Sequence, residues 1–476
     1  MSSEVEKNQQ IIDQNQFTWN NSIITNHIKR PQVNLTKELI EKLISGEFNH
    51  DFINVTLTQQ KTKNPEVFTG SGCFYYKDKK PYLKLLHKES DPQFRVYPTY
   101  SSLNNGELIR EEHLFSMTAT DLNGHIWHAD NVNPYPYMQA SSCGIIINCE
   151  LYTISRISED DYTDYRHSFF VPQTFNIPCN KFQDLGEDGK RRTKCEFTLN
   201  QINITIQLED DYSYIQVASN KVVTVEQARS ILDALSIAEG MLLTPALTVT
   251  QSLDRKSLIF NKVSSLSKIR LMSYIPQRAP NYLSEWIEFI KSYTTKFGVD
   301  KTFYYYWLKV FNAHQSDLEN ETLSLTVSIE GVVNKFHSNF RKEDCDFKKM
   351  CSDVEPVIDS LKINERVKSS IIGFLQRNGQ SSPRGTLFNM AQNGIFPKEL
   401  ATIWNKARNT SAHAEQFKKH LWLDNVNNYT SCLSLFYILL SYHIEYTGLF
   451  YHHHLPSAPL EKLNFDVNEI EKDAGN

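Results

Sequence analysis

The sequence predicts a multidomain α+β chain, with a β-rich N-terminal part followed by an all-α helical bundle. Three observations carry this expectation. At 476 residues the chain is too long for one ordinary hydrophobic core. Its first half alternates apolar and polar residues as half-buried strands do. From about residue 280 the apolar spacing becomes that of amphipathic helices.

Composition narrows the class. Hydrophobic residues make up 40% and charged residues 22%, which suits a folded globular chain rather than a disordered one. A net charge of -5 excludes a protein that holds nucleic acid by diffuse electrostatics, so any RNA must meet a local basic patch. The eight cysteines (Cys73, Cys143, Cys149, Cys179, Cys195, Cys345, Cys351 and Cys432) form no C-x-x-C pair. That disfavours a structural zinc site and suits free thiols in a reducing cytoplasm. The opening MSSEVEKNQQ has no basic segment leading into an apolar one, and no apolar run approaches the roughly 20 residues of a membrane span. A cytoplasmic protein is expected, with no membrane partner, no metal and no cofactor.

Residues 1–30 are polar and read as an extension. Asn34–Ser45 reads as a short helix closed by Gly46, opening a β-rich domain that spans 31–275. Within it, Phe52–Thr58 alternates as a strand. Gly72–Lys77 and Tyr82–Leu86 read as a hairpin turning through Asp78–Pro81, and Leu114–Thr120 with His125–His128 as another, turned by Asn123-Gly124. Gly144–Ile154 is long enough for one central strand. Glu187–Gly189 marks a turn, and Gln201–Leu208 alternates again. Val225–Leu243 has helical spacing, with Ile231, Leu232, Leu235, Ala238 and Leu242 on one side.

The helical region is expected over 276–460, with helices at Glu285–Phe297, Lys301–Ala313, Asp317–Phe336, Val354–Leu361, Glu365–Arg377, Pro397–His413 and Asn425–Phe450. The last is long and apolar enough to be the spine of the bundle. Arg341–Lys349 reads as a solvated connection, Gly379–Gly385 as a loop, and 461–476 as a polar tail.

The segment with chemistry is Trp404–Glu415, WNKARNTSAHAE. On a helix Asn409 and His413 are i and i+4 neighbours. Leu400, Ile403, Trp404, Ala407 and Ala414 define the apolar stripe, and Asn409 and His413 lie about 180° and 220° from Leu400. Arg408 stands to the side, with a side chain long enough to swing onto that face. Metal-independent RNA cleavage needs a base for the ribose 2′-hydroxyl, an acid for the leaving 5′-oxygen and a cation for the phosphorane. Histidine titrates in the range for either proton transfer, and arginine stays charged and grips two phosphate oxygens. An amide such as Asn409 can hold the imidazole in one orientation.

This Arg-Asn-x-x-x-His pattern, set before a long final apolar helix, resembles the HEPN superfamily, with the HEPN core falling at about 317–455. TGSGCFYYKDKKPYLKLLH (Thr69–His87) and FSMTATDLNGHIWHAD (Phe115–Asp130) are similar to the N-terminal domain of ApeA-type anti-phage proteins. The resemblance implies a metal-independent endoribonuclease that leaves 2′,3′-cyclic phosphate and 5′-hydroxyl ends. It implies a bacterial protein with tRNA among its substrates, an abortive-infection role, a homodimer or higher homo-oligomer whose HEPN domains share a cleft, and an N-terminal domain that meets a phage-derived trigger. It carries Arg408, Asn409 and His413 over as catalytic residues. Glu330, in SLTVSIEGVVNKF, resembles the acidic residue that faces the site from an earlier helix. The rival reading is a HEPN module that has lost catalysis and serves as a scaffold for dimerisation or for binding protein or RNA.

Lys406 beside the motif, and Lys190, Arg191 and Arg192 in the densest basic cluster, are the candidate RNA contacts. A solvated basic turn would read the same way. The run His452-His453-His454 reads as a frayed helix end rather than a metal site. His125 and His128, flanking Trp127, would point to opposite faces of a strand and so share no metal.

Overall fold

The computed structural model describes residues 32–88, 109–134, 138–141, 144–159, 161–184, 190–263, 270–275, 282–341, 345–378, 382–412, 422–463 and 465. The β-rich part comes first and the helices follow, as the change in periodicity predicts. Among the described residues no helix is long and apolar enough to cross a membrane.

The compact units are not the two consecutive domains expected from composition. One comprises 1–162 with 245–263, and the other 163–244 with 264–476. Chain after residue 162 therefore builds strands of the second unit, and a later hairpin returns to the first. A boundary at 275/276 follows the change of period, but strand pairing with distant partners groups the residues differently.

The first unit holds a helix, α1 (Gln32–Ser45), and ten strands: β1 (Asn49–Gln59), β2 (Val67–Lys77), β3 (Lys80–His87), β4 (Phe115–Asp121), β5 (Ile126–Val132), β6 (Met138–Ser141), β7 (Gly144–Glu150), β8 (Thr153–Glu159), β14 (Leu247–Gln251) and β15 (Arg255–Asn261). They line up as β14-β15-β8-β5-β4-β1-β2-β3-β7-β6, every pair antiparallel. The β2–β3 turn is tighter than expected. Asp78 and Lys79 alone make it, both at positive φ (51° and 62°), as a two-residue hairpin of the twist-matched kind needs. The long strand expected over Gly144–Ile154 is two strands, β7 and β8, parted at Leu151-Tyr152. An apolar run conceals such a break because buried residues continue across it, from Cys149 and Leu151 to Ile154. The sheet curls: Val263 N donates to Lys79 O at 3.0 Å and the Tyr76 hydroxyl to Asn261 O. Phe48, Phe74, Trp127 and Phe260 fill the curl with ring centroids 5.3 to 6.0 Å apart.

The second unit has five antiparallel strands, β9 (Tyr165–Val171), β10 (Lys181–Asp184), β11 (Lys190–Leu199), β12 (Ile202–Leu208) and β13 (Ser213–Ser219), ordered β10-β11-β12-β13-β9. The turn expected at Glu187–Gly189 lies outside the described residues. Helix α2 (Val225–Glu239) begins at a Thr224/Gln227 capping box and ends at Gly240, φ 63°. The bundle follows: α3 (Tyr282–Phe297), α4 (Thr302–Ala313), α5 (Leu318–Phe336), α6 (Cys345–Ser360), α7 (Glu365–Asn378), α8 (Pro383–Gln392), α9 (Lys398–Ala412) and α10 (Trp422–His443). Every residue of α10 from Tyr429 to Ser441 is buried, the property of a spine packed on all sides. Buried Glu239 ties α2 to α3 by accepting from the Tyr282 hydroxyl at 2.8 Å and Trp286 Nε1 at 3.1 Å.

Four expectations for the helical region are corrected. The supposed connection Arg341–Lys349 becomes helical at Cys345, since charged residues on an exposed helix look like a loop in sequence. The supposed loop Gly379–Gly385 already contains the start of α8, with Ser382 as cap and Pro383 in the first turn. The last helix stops at His443, and Leu449–Tyr451 (β16) pairs with Leu460–Lys462 (β17). The tail expected from 461 therefore begins within a strand, and Leu463 and Phe465 behind it are buried. The extension 1–30 lies outside the described residues.

Candidate active site

Helix α5 starts at Asp317, whose carboxylate accepts from Asn320 N at 2.9 Å. It presents Leu325, Ile329, Val332 and Val333 to the core and leaves Glu330 half-exposed beside them. Helix α9 buries Leu400, Trp404, Ala407 and Ser411, spaced by four, three and four residues. This is the predicted stripe with one revision: Ile403 is only half-buried, and Ser411 continues the buried line. Ala414 lies outside the described residues.

Two polar contacts register the helices. Trp404 Nε1 donates to Thr326 O at 3.1 Å, and Arg408 Nε donates to Glu330 Oε2 at 3.2 Å. Each contact is displaced by four residues from the other in both helices, so α5 and α9 run parallel here and in step. The first contact is buried and anchors the pair. The second is about one-third exposed on each side, 30% for Arg408 and 36% for Glu330. Such a pair contributes only ~0.2–1 kcal/mol to stability. Its structural consequence is orientation, because Glu330 engages Nε and leaves the guanidinium's two terminal nitrogens as the outer edge of the fork.

The structure thus brings together Arg408 and Glu330, residues 78 positions apart. It does not swing Arg408 onto the face of Asn409, as its length allowed. The side chain reaches across to α5, because the Trp404–Thr326 contact sets that helix one turn away. Asn409 and Lys406 are exposed on the other side of α9. His413 lies outside the described residues, one position beyond the end of α9. Sequence reasoning found the stripe around Trp404 but not its acceptor, since nothing in a sequence marks one backbone carbonyl of α5. It also missed Ser411, whose buried Oγ has no hydrogen-bond partner among the described residues.

The basic cluster sits on β11, with Lys190, Arg191 and Arg192 paired to Asp184, Gln183 and Phe182 of β10. Arg192 is exposed, its guanidinium 4.9 Å from the Phe182 ring centroid. His452, His453 and His454 are not a frayed helix end. They follow β16, half-buried, with His452 N donating to Pro459 O at 3.1 Å. His128 is exposed on β5, whereas His125 turns to Asp121 at 3.1 Å. No protein-family model, no curated protein and no solved structure matches the chain.

Proposed function

We propose that this chain is a metal-independent HEPN-type endoribonuclease that acts on RNA, with tRNA the favoured substrate, as an abortive-infection effector against phage, and works as a homodimer. The observation that carries the reading is the Arg408–Glu330 contact. The arginine of the Arg-Asn-x-x-x-His motif meets the acidic residue on the earlier helix that the resemblance singles out. A scaffold would need no acid at that position.

In this reading the ribose 2′-oxygen attacks the adjacent phosphorus and the 5′-oxygen leaves, giving a 2′,3′-cyclic phosphate and a 5′-hydroxyl. His413 moves the protons, Arg408 stabilises the phosphorane through its terminal nitrogens, and Asn409 orients the imidazole. Glu330 is a positioning residue that holds Nε and so fixes the plane of the guanidinium. Lys406 and the β11 cluster are assigned to the RNA backbone.

The test is incubation of the purified full chain with total RNA in EDTA, followed by end-group analysis. Cyclic phosphate and 5′-hydroxyl ends are expected. Cleavage that stops in EDTA, or that leaves 3′-hydroxyl ends, contradicts the reading.

One further observation bears on assembly, which the rival, a module that only assembles, needs as well. Met350, Val354, Val357 and Leu361 form an exposed stripe on and just beyond α6, and Val367, Ile371 and Phe374 form another on α7. Exposed apolar stripes at helical spacing mark an association surface. A dimer belongs to both readings, so cleavage, not assembly, separates them.

A further inference from the structure

Arg408 meets α5 at Glu330, and a second arginine meets the same helix one turn further on. Arg341 donates from Nη2 to Asn334 Oδ1 at 2.7 Å. Glu330 and Asn334 are i and i+4 on α5, so the two anchors stand one above the other, ~6 Å apart along the axis. On an unbroken helix Arg341 would lie nearly two turns beyond Asn334. The chain instead turns back, because α5 ends at His337 and Ser338–Phe340 forms a single 3-10 turn. Phe340 fixes that turn. Its side chain is buried, with its ring centroid 5.8 Å from that of Tyr442 on α10, and its carbonyl accepts from Asn389 Nδ2 at 3.0 Å. Arg341 N in turn donates to Ser338 O at 3.1 Å. Arg341 is thus held by backbone and side chain while remaining exposed.

The register of α5 and α9 shows what Arg341 stands beside. Trp404 meets Thr326 and Arg408 meets Glu330, a step of four on both helices. The next step of four brings Ala412 level with Asn334. Ala412 is the last residue of α9, and one peptide bond joins it to His413. Arg341 therefore approaches the end of α9 from which the motif histidine follows.

Charge decides what it can do there. Arg408 and Glu330 cancel, so that pair offers no net charge to attract a polyanion. The chain as a whole stands at -5. Arg341 differs, because its partner is a neutral amide. Among the described residues no carboxylate pairs with it, and Asn334 takes one of the guanidinium's five N–H donors. Arg341 keeps its positive charge and most of its fork for phosphate oxygens.

We propose that Arg341 is a second phosphate-binding residue of the candidate active site, gripping the phosphate next to the scissile one on the bound RNA strand. Arg408 serves the phosphorane, where charge builds during reaction. Arg341 holds a phosphate whose charge does not change, so it binds ground state and transition state alike. Its loss should therefore raise KM and spare kcat. This assignment rests on the ribonuclease reading for its ligand, and binding is measured apart from cleavage so that the two can fail separately.

Binding is read by fluorescence anisotropy of labelled bulk tRNA over a salt series, on the full chain carrying His413→Ala so that the RNA stays whole. Arg341→Gln should weaken binding about tenfold and flatten the slope of log K against log salt by about one, the loss of one phosphate contact. Exposed Lys335 is the comparison, since Lys335→Gln removes the same charge from a neighbouring face of α5 and should change affinity less than about twofold. Asn334→Asp puts an anion on Arg341 and should weaken binding as Arg341→Gln does, whereas a merely structural contact would gain from the ion pair. With His413 in place, Arg341→Gln should raise the KM for tRNA cleavage about tenfold and hold kcat within about twofold. No binding of tRNA, or an affinity moved no more by Arg341→Gln than by Lys335→Gln, overturns the proposal. So does a fall in kcat at unchanged KM, which would put Arg341 on the scissile phosphate. A wild-type chain that cuts no RNA but binds it through Arg341 would sink the ribonuclease reading and uphold the phosphate contact.

Discussion

At the residue scale, Arg408 and Glu330 divide stability from function. Their contact is partly exposed and contributes at most ~1 kcal/mol, so Glu330→Gln should leave the thermal midpoint almost unchanged. In the proposed reading the same change frees Nε and should lower the cleavage rate about tenfold, measured by single-turnover assays beside thermal melts. His337 behaves in the opposite way. It is 1% exposed at the end of α5, with its Nε2 lacking a partner among the described residues. Burial, followed by neighbouring His443, pushes its pKa from 6.5 down to about 3. The folded protein keeps this ring neutral while the unfolded chain protonates it below 6.5. Stability is therefore intact above 6.5 and lost as pH falls towards 3, by about 2 kcal/mol at pH 5. Asp233 opposes it, since burial raises its carboxyl from 3.8 to about 6, and that group adds stability as pH falls between those values. The difference between wild type and His337→Phe isolates the histidine: melts from pH 8 to pH 5 should fall less steeply for the variant. Equal slopes would show that His337 is protonated in the fold.

At the element scale, the helix caps and the α5–α9 register hold the second unit together. Gly240 ends α2 at φ 63°, and a Cβ there would lie 2.4 Å from Leu271 O. Gly240→Ala meets both a left-handed backbone and a carbonyl that cannot yield, so it should cost roughly 2 kcal/mol or more in a denaturant titration. Much at this scale was legible. The helical spacing over Val225–Leu243, the expected helix Asp317–Phe336 and the apolar stripe of α9 placed three helices to within a few residues. What escaped detection had a common cause. The break between β7 and β8, the charged start of α6 and the strand at Leu449–Tyr451 depend on which surface each segment meets, and local period does not encode that. The partner of Trp404, a backbone carbonyl of α5, is equally silent in sequence.

At the scale of the whole molecule, the chain order that a sequence displays is not the order of its compact units. β14 and β15 return to the first unit after the strands of the second have been laid down, a long-range pairing that no local pattern announces. The exposed stripes on α6 and α7 give the assembly prediction. Val357→Glu with Phe374→Glu should convert a dimer to a monomer in sedimentation velocity while leaving the melting curve nearly unchanged, since both side chains are over half exposed. A chain already monomeric before the change would remove the assembly part of the proposal. The central claim is that one fixed guanidinium on α9 stabilises a scissile phosphate. The most direct measurement compares tRNA cleavage by the wild-type chain, Arg408→Ala and Arg408→Lys in EDTA, with melts confirming that all three fold. The account predicts loss of cleavage in Arg408→Ala and only slight recovery in Arg408→Lys, because an ammonium restores the charge but not the fork. Wild-type rates from a folded Arg408→Ala chain would contradict it.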